Sequence, residues 1–68
     1  MSMGNKIMET RKKCGLTQES LAEKVGVSFQ AVSIWERDES LPDTAHLKAL
    51  AAALDLSVDS LLNDGKNM

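Results

Sequence analysis

The stretch from Gln18 to Arg37, QESLAEKVGVSFQAVSIWER, constrains the fold most, because it predicts two short helices joined by a glycine turn. Thr17 and Ser28 stand before the two helices, where their hydroxyls can accept backbone N–H groups that a first turn leaves unsatisfied. Gly26 lies where a left-handed backbone lets the chain turn sharply. Two helices packed steeply through such a turn form the unit that places one helix in a DNA major groove.

The apolar residues of this stretch predict how the two helices pack. They recur at helical spacing on the inner faces: Leu21, Ala22 and Val25, then Val32 and Trp35. We expect Ala22 to lie at the crossing, opposite Val32, because a larger side chain would hold the helices apart. Val27 can fill the space beneath the turn. An ordinary corner of a small helical bundle, with no DNA involved, is the alternative interpretation of this pattern.

Four motifs in order resemble the phage-repressor (Cro/cI, or XRE) helix-turn-helix domains. They are GLTQESLAEKVGVS, WER, SLPD and LKALAAALDLSVDSLL, and they span about residues 5 to 62. The resemblance implies an all-α, compact five-helix lambda-repressor-like DNA-binding domain, with the helix-turn-helix formed by helices 2 and 3.

Length and composition predict one domain over residues 1–68, with a core at about 5–62 and frayed termini, including Asn63 to Met68. The single cysteine, Cys14, excludes an intramolecular disulfide and is too few for a zinc site. Because it follows Ile7 by seven residues, we expect it to be a small buried hydrophobe. No membrane-length apolar run or signal peptide is visible, which favours a cytoplasmic protein.

Charge is unevenly distributed along a chain whose net charge is −2. Residues 1–37 carry six basic and four acidic side chains, for +2, whereas residues 38–68 carry two and six, for −4. DNA-binding domains are usually basic. The half with the two-helix unit is therefore the basic half, and the local field governs attraction to phosphate more than the total does.

The rest of the chain predicts three further helices around the same core. Helix one is expected from about Asn5 to Cys14, with Ile7 and Cys14 inward, and Leu16 returning to the core. Residues 38–42 form a loop, since Pro42 disfavours helix before it. Asp43 caps helix four, Asp55 interrupts it and Ser57 caps helix five. The side chains expected to close the core are Leu47, Leu50, Ala51, Leu54, Val58, Leu61 and Leu62.

Helix three is expected to present its outer face to DNA. Gln30 is the best direct reader, because a glutamine amide can pair with adenine N6 and N7. Phe29 and Ile34 are apolar on a face that should be wet, which fits contact with thymine methyl groups. Alternatively, Phe29 covers the core edge or Ile34 packs on a neighbouring helix. Ser33 can reach a base or a phosphate.

Three further residues are expected to meet phosphates and set the register. Gln18 resembles the family glutamine whose side chain and backbone N–H meet a phosphate at a helix N-terminus. Ser28 can touch phosphate as well as cap its helix. Arg37, at the end of helix three, is placed for a third contact.

The resemblance also assigns two structural features. It implies a semi-buried pair between Arg11 and Glu36 that locks helix three against helix one. Many relatives have glycine and then lysine just after helix three, with the glycine left-handed and the lysine on phosphate. This chain has Asp38 and Glu39 instead. Aspartate tolerates the left-handed conformation, but two acids there would weaken DNA binding.

The predicted function is sequence-specific binding of double-stranded DNA in transcriptional regulation, as a repressor on a two-fold operator. A homodimer is expected, formed either in free solution or only on DNA, through Leu41, Val58 and Leu61. A place in the core is the alternative for these residues, and it is preferred for Leu61. A protein-interaction module of antitoxin or anti-repressor type is the alternative function, favoured by the acidic second half. No catalytic residues, metal, cofactor, membrane contact or small-molecule ligand are expected, and His46 has no paired nucleophile.

Overall fold

Five α-helices make up the part of the chain that the computed structural model describes, residues 2–62. They are α1 (Met3–Lys13), α2 (Gln18–Val25), α3 (Phe29–Glu36), α4 (Thr44–Leu54) and α5 (Val58–Leu62). No strand occurs within residues 2–62. The all-α fold with its helix-turn-helix is therefore confirmed. The expected fraying of Asn63 to Met68 lies outside the described residues.

The first helix begins two residues earlier than expected and ends one residue earlier. Ser2 is its N-cap, and its hydroxyl accepts the Asn5 N–H at 3.1 Å. Cys14 is the C-cap and is exposed, so its predicted burial is wrong. The Cys14 N–H still donates to the Thr10 carbonyl, and Cys14 Sγ lies 3.9 Å from the Leu54 carbonyl oxygen. The side chain therefore faces the end of α4, as the spacing from Ile7 predicts, but it stays at the surface.

Side-chain caps begin the other four helices, as the sequence predicts. A side-chain oxygen of each cap accepts the backbone N–H three residues later: Thr17 from Ser20, Ser28 from Ala31, Asp43 from His46, and Ser57 from Ser60. Each cap satisfies one N–H that the first helical turn leaves without an intrahelical partner. Each of these four helices therefore begins at a residue that the cap defines.

Two of the helices end on an aspartate in the left-handed conformation, where glycine is usual. Asp38 follows α3 with φ +60°, and Asp55 follows α4 with φ +59°. In each case the following residue donates to a carbonyl five residues back, Glu39 to Ile34 and Leu56 to Ala51. This is the Schellman arrangement that closes a helix C-terminus. The prediction that Asp38 adopts this conformation is confirmed.

The core lies where the inner faces of all five helices converge. Its buried members are Ile7, Leu21, Ala22, Val32, Trp35, Leu50, Ala51, Leu54 and Leu61. Leu16, Leu47 and Val58 are partly buried against them, as expected. Leu62 is 55% exposed, so its predicted place in the core is wrong. Adjacent residues of a helix point about 100° apart, and Leu61 takes the inward direction.

None of the helices within residues 2–62 combines the length and the apolar character that crossing a membrane requires.

Candidate nucleic-acid interface

The turn between α2 and α3 has the geometry that the sequence predicts. Gly26 is left-handed, with φ +88°, and its N–H donates to the Ala22 carbonyl at 2.7 Å. Ala22 and Val32 are buried, and Val27 is partly buried against the core. Ala22, a small residue, is thus buried where α2 and α3 pack against each other. This packing leaves one side of α3 facing outward.

The outward side of α3 carries the residues proposed to read bases. Gln30 is exposed, and Phe29 is 44% exposed, so Phe29 is not folded into the core. Ser33 and Ile34 are half-buried. At the two ends of the helix, Ser28 and Arg37 are exposed. The predicted positions therefore lie on one side of α3, with the Phe29 ring and the Gln30 amide at its start and the Arg37 guanidinium after its end. Ser33 and Ile34 lie in its second half.

Gln18 occupies a different environment from the other predicted phosphate contacts. Its side chain is turned inward, and Nε2 donates to Glu36 Oε1 at 3.0 Å. One of the two N–H donors of the side-chain amide is therefore already engaged. Gln18 is also the first residue of α2, whose N-terminus favours an anion through its backbone N–H groups and its dipole.

Arg11 and Glu36 form the bidentate pair that the family resemblance implies. Arg11 Nε and Nη2 donate to the two carboxylate oxygens of Glu36 at 2.6 and 3.2 Å. The side chains are only 11% and 4% exposed. Arg11 Nη1 also donates to the Leu16 carbonyl at 2.9 Å. With Gln18, this network joins α1, α2 and α3 around a single carboxylate.

The two acids after α3 have separate surroundings. Glu39 Oε1 lies 3.5 Å from Arg37 Nη2, and both side chains are 58% exposed. Asp38 Oδ1 instead accepts the backbone N–H of Gly4 at 3.0 Å. Sequence reasoning missed Gly4 and this contact. Helix one was expected to begin only at Asn5, so Gly4 was left out of it. Once Gly4 lies inside α1 it is a signal, because glycine is unfavourable in helices unless a close approach requires it.

Within the described residues, His46 lies beside an aromatic ring and an acidic side chain. Its ring lies 5.5 Å from that of Trp35, and its Nδ1 is 3.0 Å from Asp43 Oδ1. Nowhere in residues 2–62 do histidine, cysteine or acidic side chains cluster as they would to hold a metal ion.

Most of the chain matches a known protein family. A family model described as HTH_3, helix-turn-helix, matches residues 7–61, which is most of the chain. The chain belongs to this helix-turn-helix family. The resemblance to Cro/cI (XRE) domains is thereby confirmed, and the matched range includes the whole of α2, the turn and α3.

Individual relatives within the family are repressors and regulators. The chain is 47% identical over 60 residues to repressor protein C2 of Salmonella phage P22, covering 88% of this chain and 28% of the relative. It is 40% identical over 62 residues to the HTH-type transcriptional regulator ImmR of Bacillus subtilis strain 168, covering 91% and 49%. The chain thus spans between about a quarter and a half of the length of these curated relatives.

A solved structure of the same family agrees in fold with this chain. The crystal structure of the P22 c2 repressor in complex with synthetic operator 9T, in the presence of Tl⁺, superposes with a TM-score of 0.88 at 44% identity. The match covers 90% of this chain and 92% of that chain.

Proposed function

We propose that the chain binds double-stranded DNA sequence-specifically in transcriptional regulation, as a repressor, with α3 in the major groove. The observation that carries the proposal is the outward side of α3, where Gln30 is exposed on a helix fixed from behind by buried Val32 and Trp35. The similar P22 c2 repressor was solved with a synthetic operator. A rigid helix with an exposed amide is what direct readout of a base edge needs.

Residues at the two ends of the helix-turn-helix unit would hold the DNA backbone. The proposed phosphate contacts are the α2 N-terminus at Gln18, Ser28 and Arg37, while Phe29, Gln30, Ser33 and Ile34 face the bases. Because the hydrogen bond from Nε2 to Glu36 holds the Gln18 side chain inward, the backbone N–H of Gln18 is its better donor to a phosphate. Only the contacts along α3 would carry sequence information.

We also propose how copies of the protein assemble and where in the cell it acts. A helix of eight residues reads few base pairs, so two copies on a two-fold operator would supply specificity, whether they pair in free solution or only on DNA. Leu41, which is 69% exposed, is the best candidate for the contact between copies. We place the protein in the cytoplasm as a single domain over residues 1–68, and we assign it binding rather than catalysis.

A titration of duplex DNA at two salt concentrations tests the proposal. Neutralising phosphates releases counterions, so affinity should fall steeply as salt rises. A binding site recovered from a random-sequence pool should also bind more tightly than its scrambled version. Failure to bind any duplex, together with a stable complex with another protein, would favour the protein-interaction module. The relatives are a repressor and a transcriptional regulator, so the comparisons support DNA binding more than they support that module.

A further inference from the structure

The start of α1 and the end of α3 approach each other at backbone distance. Gly4 is buried, and a Cβ atom there would lie 2.6 Å from the carbonyl oxygens of both Trp35 and Glu36. Side-chain carbon atoms essentially never approach backbone oxygens so closely. The absence of a side chain at position 4 therefore allows α1 to rest on the last turn of α3.

Asp38 joins the same two helix ends. Its backbone N–H donates to the Trp35 carbonyl at 3.1 Å, which helps to close α3. Its carboxylate accepts the Gly4 N–H at 3.0 Å. That N–H belongs to the first turn of α1, where the Ser2 hydroxyl accepts the N–H of Asn5 and the Ser2 carbonyl accepts that of Lys6. One residue thus ends one helix with its backbone and caps another with its side chain.

Electrostatics favours an acid in this position. The first turn of α1 contains no acidic residue of its own. A carboxylate near a helix N-terminus is stabilised by the positive end of the helix dipole. The Asp38 charge is therefore directed at α1. A glycine here could adopt the same left-handed backbone but has no carboxylate to reach Gly4.

We propose that Asp38 is a positioning residue, which latches the end of α3 to the start of α1 and so fixes the angle at which α3 is presented. The network around Glu36 holds the same end of α3 through side chains from α1 and α2. The Asp38 latch adds a second attachment at the α1 N-terminus. Its role in DNA reading rests on the proposed function above.

Hydrogen exchange in the free protein tests the latch itself. Asp38→Gly keeps the left-handed backbone and removes the acceptor, Asp38→Asn keeps an acceptor without the charge, and Asp55→Gly is the matched control at the end of α4. A charge-assisted hydrogen bond predicts that Asp38→Gly speeds exchange of the Gly4 amide by about tenfold or more. Asp38→Asn should be intermediate, and Asp55→Gly should match the wild type. Unchanged Gly4 exchange in Asp38→Gly would overturn the proposal.

DNA binding then tests the positioning role. The readout is the ratio of affinities for a duplex recovered from a random pool by the wild type and for its scrambled version. Asp38→Gly should lower this ratio by about threefold to tenfold, as for residues that act through their neighbours, and Asp38→Asn should largely restore it. If both variants instead bind both duplexes more tightly by the same factor, the ratio of affinities is unchanged. Asp38 would then merely repel phosphate, and the positioning role would be overturned. If no duplex is recovered, the proposed function fails, while Gly4 exchange still decides the latch.

Discussion

The carboxylate of Glu36 accepts hydrogen bonds from both Arg11 and Gln18, and it is almost wholly removed from water. Desolvating such a pair offsets much of its attraction, so the pair need not add net stability. Removing one partner is different, because the remaining group stays buried without its counterion. A domain of 68 residues has a free energy of unfolding of only about 3–10 kcal/mol. Removing one partner of the pair would therefore cost a large share of that stability.

Replacing one partner of this pair should therefore destabilise the domain far more than replacing both. We expect Glu36→Met or Arg11→Met alone to lower the free energy of unfolding by about 3–5 kcal/mol, and the double variant to regain most of that loss. Urea unfolding followed by the fluorescence of Trp35, the single tryptophan, measures both. A single-variant loss below about 1 kcal/mol, typical of exposed pairs, would contradict the buried network.

Glu39 is expected to limit DNA affinity by competing for Arg37. The two side chains lie 3.5 Å apart and are both more than half exposed, so the pair is weak and phosphate can displace it. Glu39→Gln should raise affinity for any duplex by about twofold to fivefold. Asp55→Asn, which removes the same charge at the end of α4, should give a smaller gain.

The effect should depend on the guanidinium. In an Arg37→Gln background, Glu39→Gln should gain clearly less affinity than in the wild type. Equal gains in both backgrounds would show that Glu39 acts only through the overall field, and that its contact with Arg37 has no part in limiting affinity.

At the scale of the helices, the contact between α1 and α3 reverses an ordinary rule. Replacing glycine by alanine inside a helix normally stabilises it by about 0.5–1 kcal/mol. At Gly4 the added carbon would meet two backbone carbonyls at 2.6 Å. Gly4→Ala should therefore destabilise the domain by about 1–3 kcal/mol, the usual cost of overpacking.

Asn5→Ala is the matched control, because Asn5 is the next residue of α1 and is exposed. Chemical denaturation of the two variants compares them directly. The alanine at position 5 should be neutral or slightly stabilising. A stabilised Gly4→Ala variant would mean that α1 does not rest on α3 as described.

Local chemistry in the sequence was sufficient to predict most helix boundaries. Thr17, Ser28, Asp43 and Ser57 cap their helices as expected, because capping depends only on residues three apart. The predictions that failed were those of burial at the ends of two helices, at Cys14 and Leu62. Helical periodicity directed Cys14 toward the end of α4, where its Sγ lies 3.9 Å from the Leu54 carbonyl oxygen, but periodicity does not show that this place is at the surface.

One part of the candidate site could be predicted from local sequence, and another part could not. The outward positions on α3 followed from helical spacing once Val32 and Trp35 were placed inward. The contact from Gly4 to Asp38 joins residues 34 apart in sequence, and the contact from Gln18 to Glu36 joins residues 18 apart. No local pattern encodes such pairs, since they depend on how the helices pack.

For the whole molecule, Leu41 tests whether two copies cooperate on DNA. It is 69% exposed, so Leu41→Ser should change the free energy of unfolding by less than about 0.5 kcal/mol. If copies meet there, the variant should bind a single half-site normally but lose cooperativity on a two-fold site. Leu62→Ser, at another exposed leucine, is the control. Unchanged cooperativity in Leu41→Ser would place the contact elsewhere.

The central claim is that α3 reads bases through Gln30, and the most direct measurement is parallel selection from a random duplex pool with the wild type and Gln30→Ala. We predict that the wild type returns a two-fold site, and that the variant loses preference at one base pair in each half-site. Affinity for the wild-type site should fall by the equivalent of about 1–3 kcal/mol per copy, with scrambled duplex bound as before. An identical selected site at undiminished affinity would contradict the account.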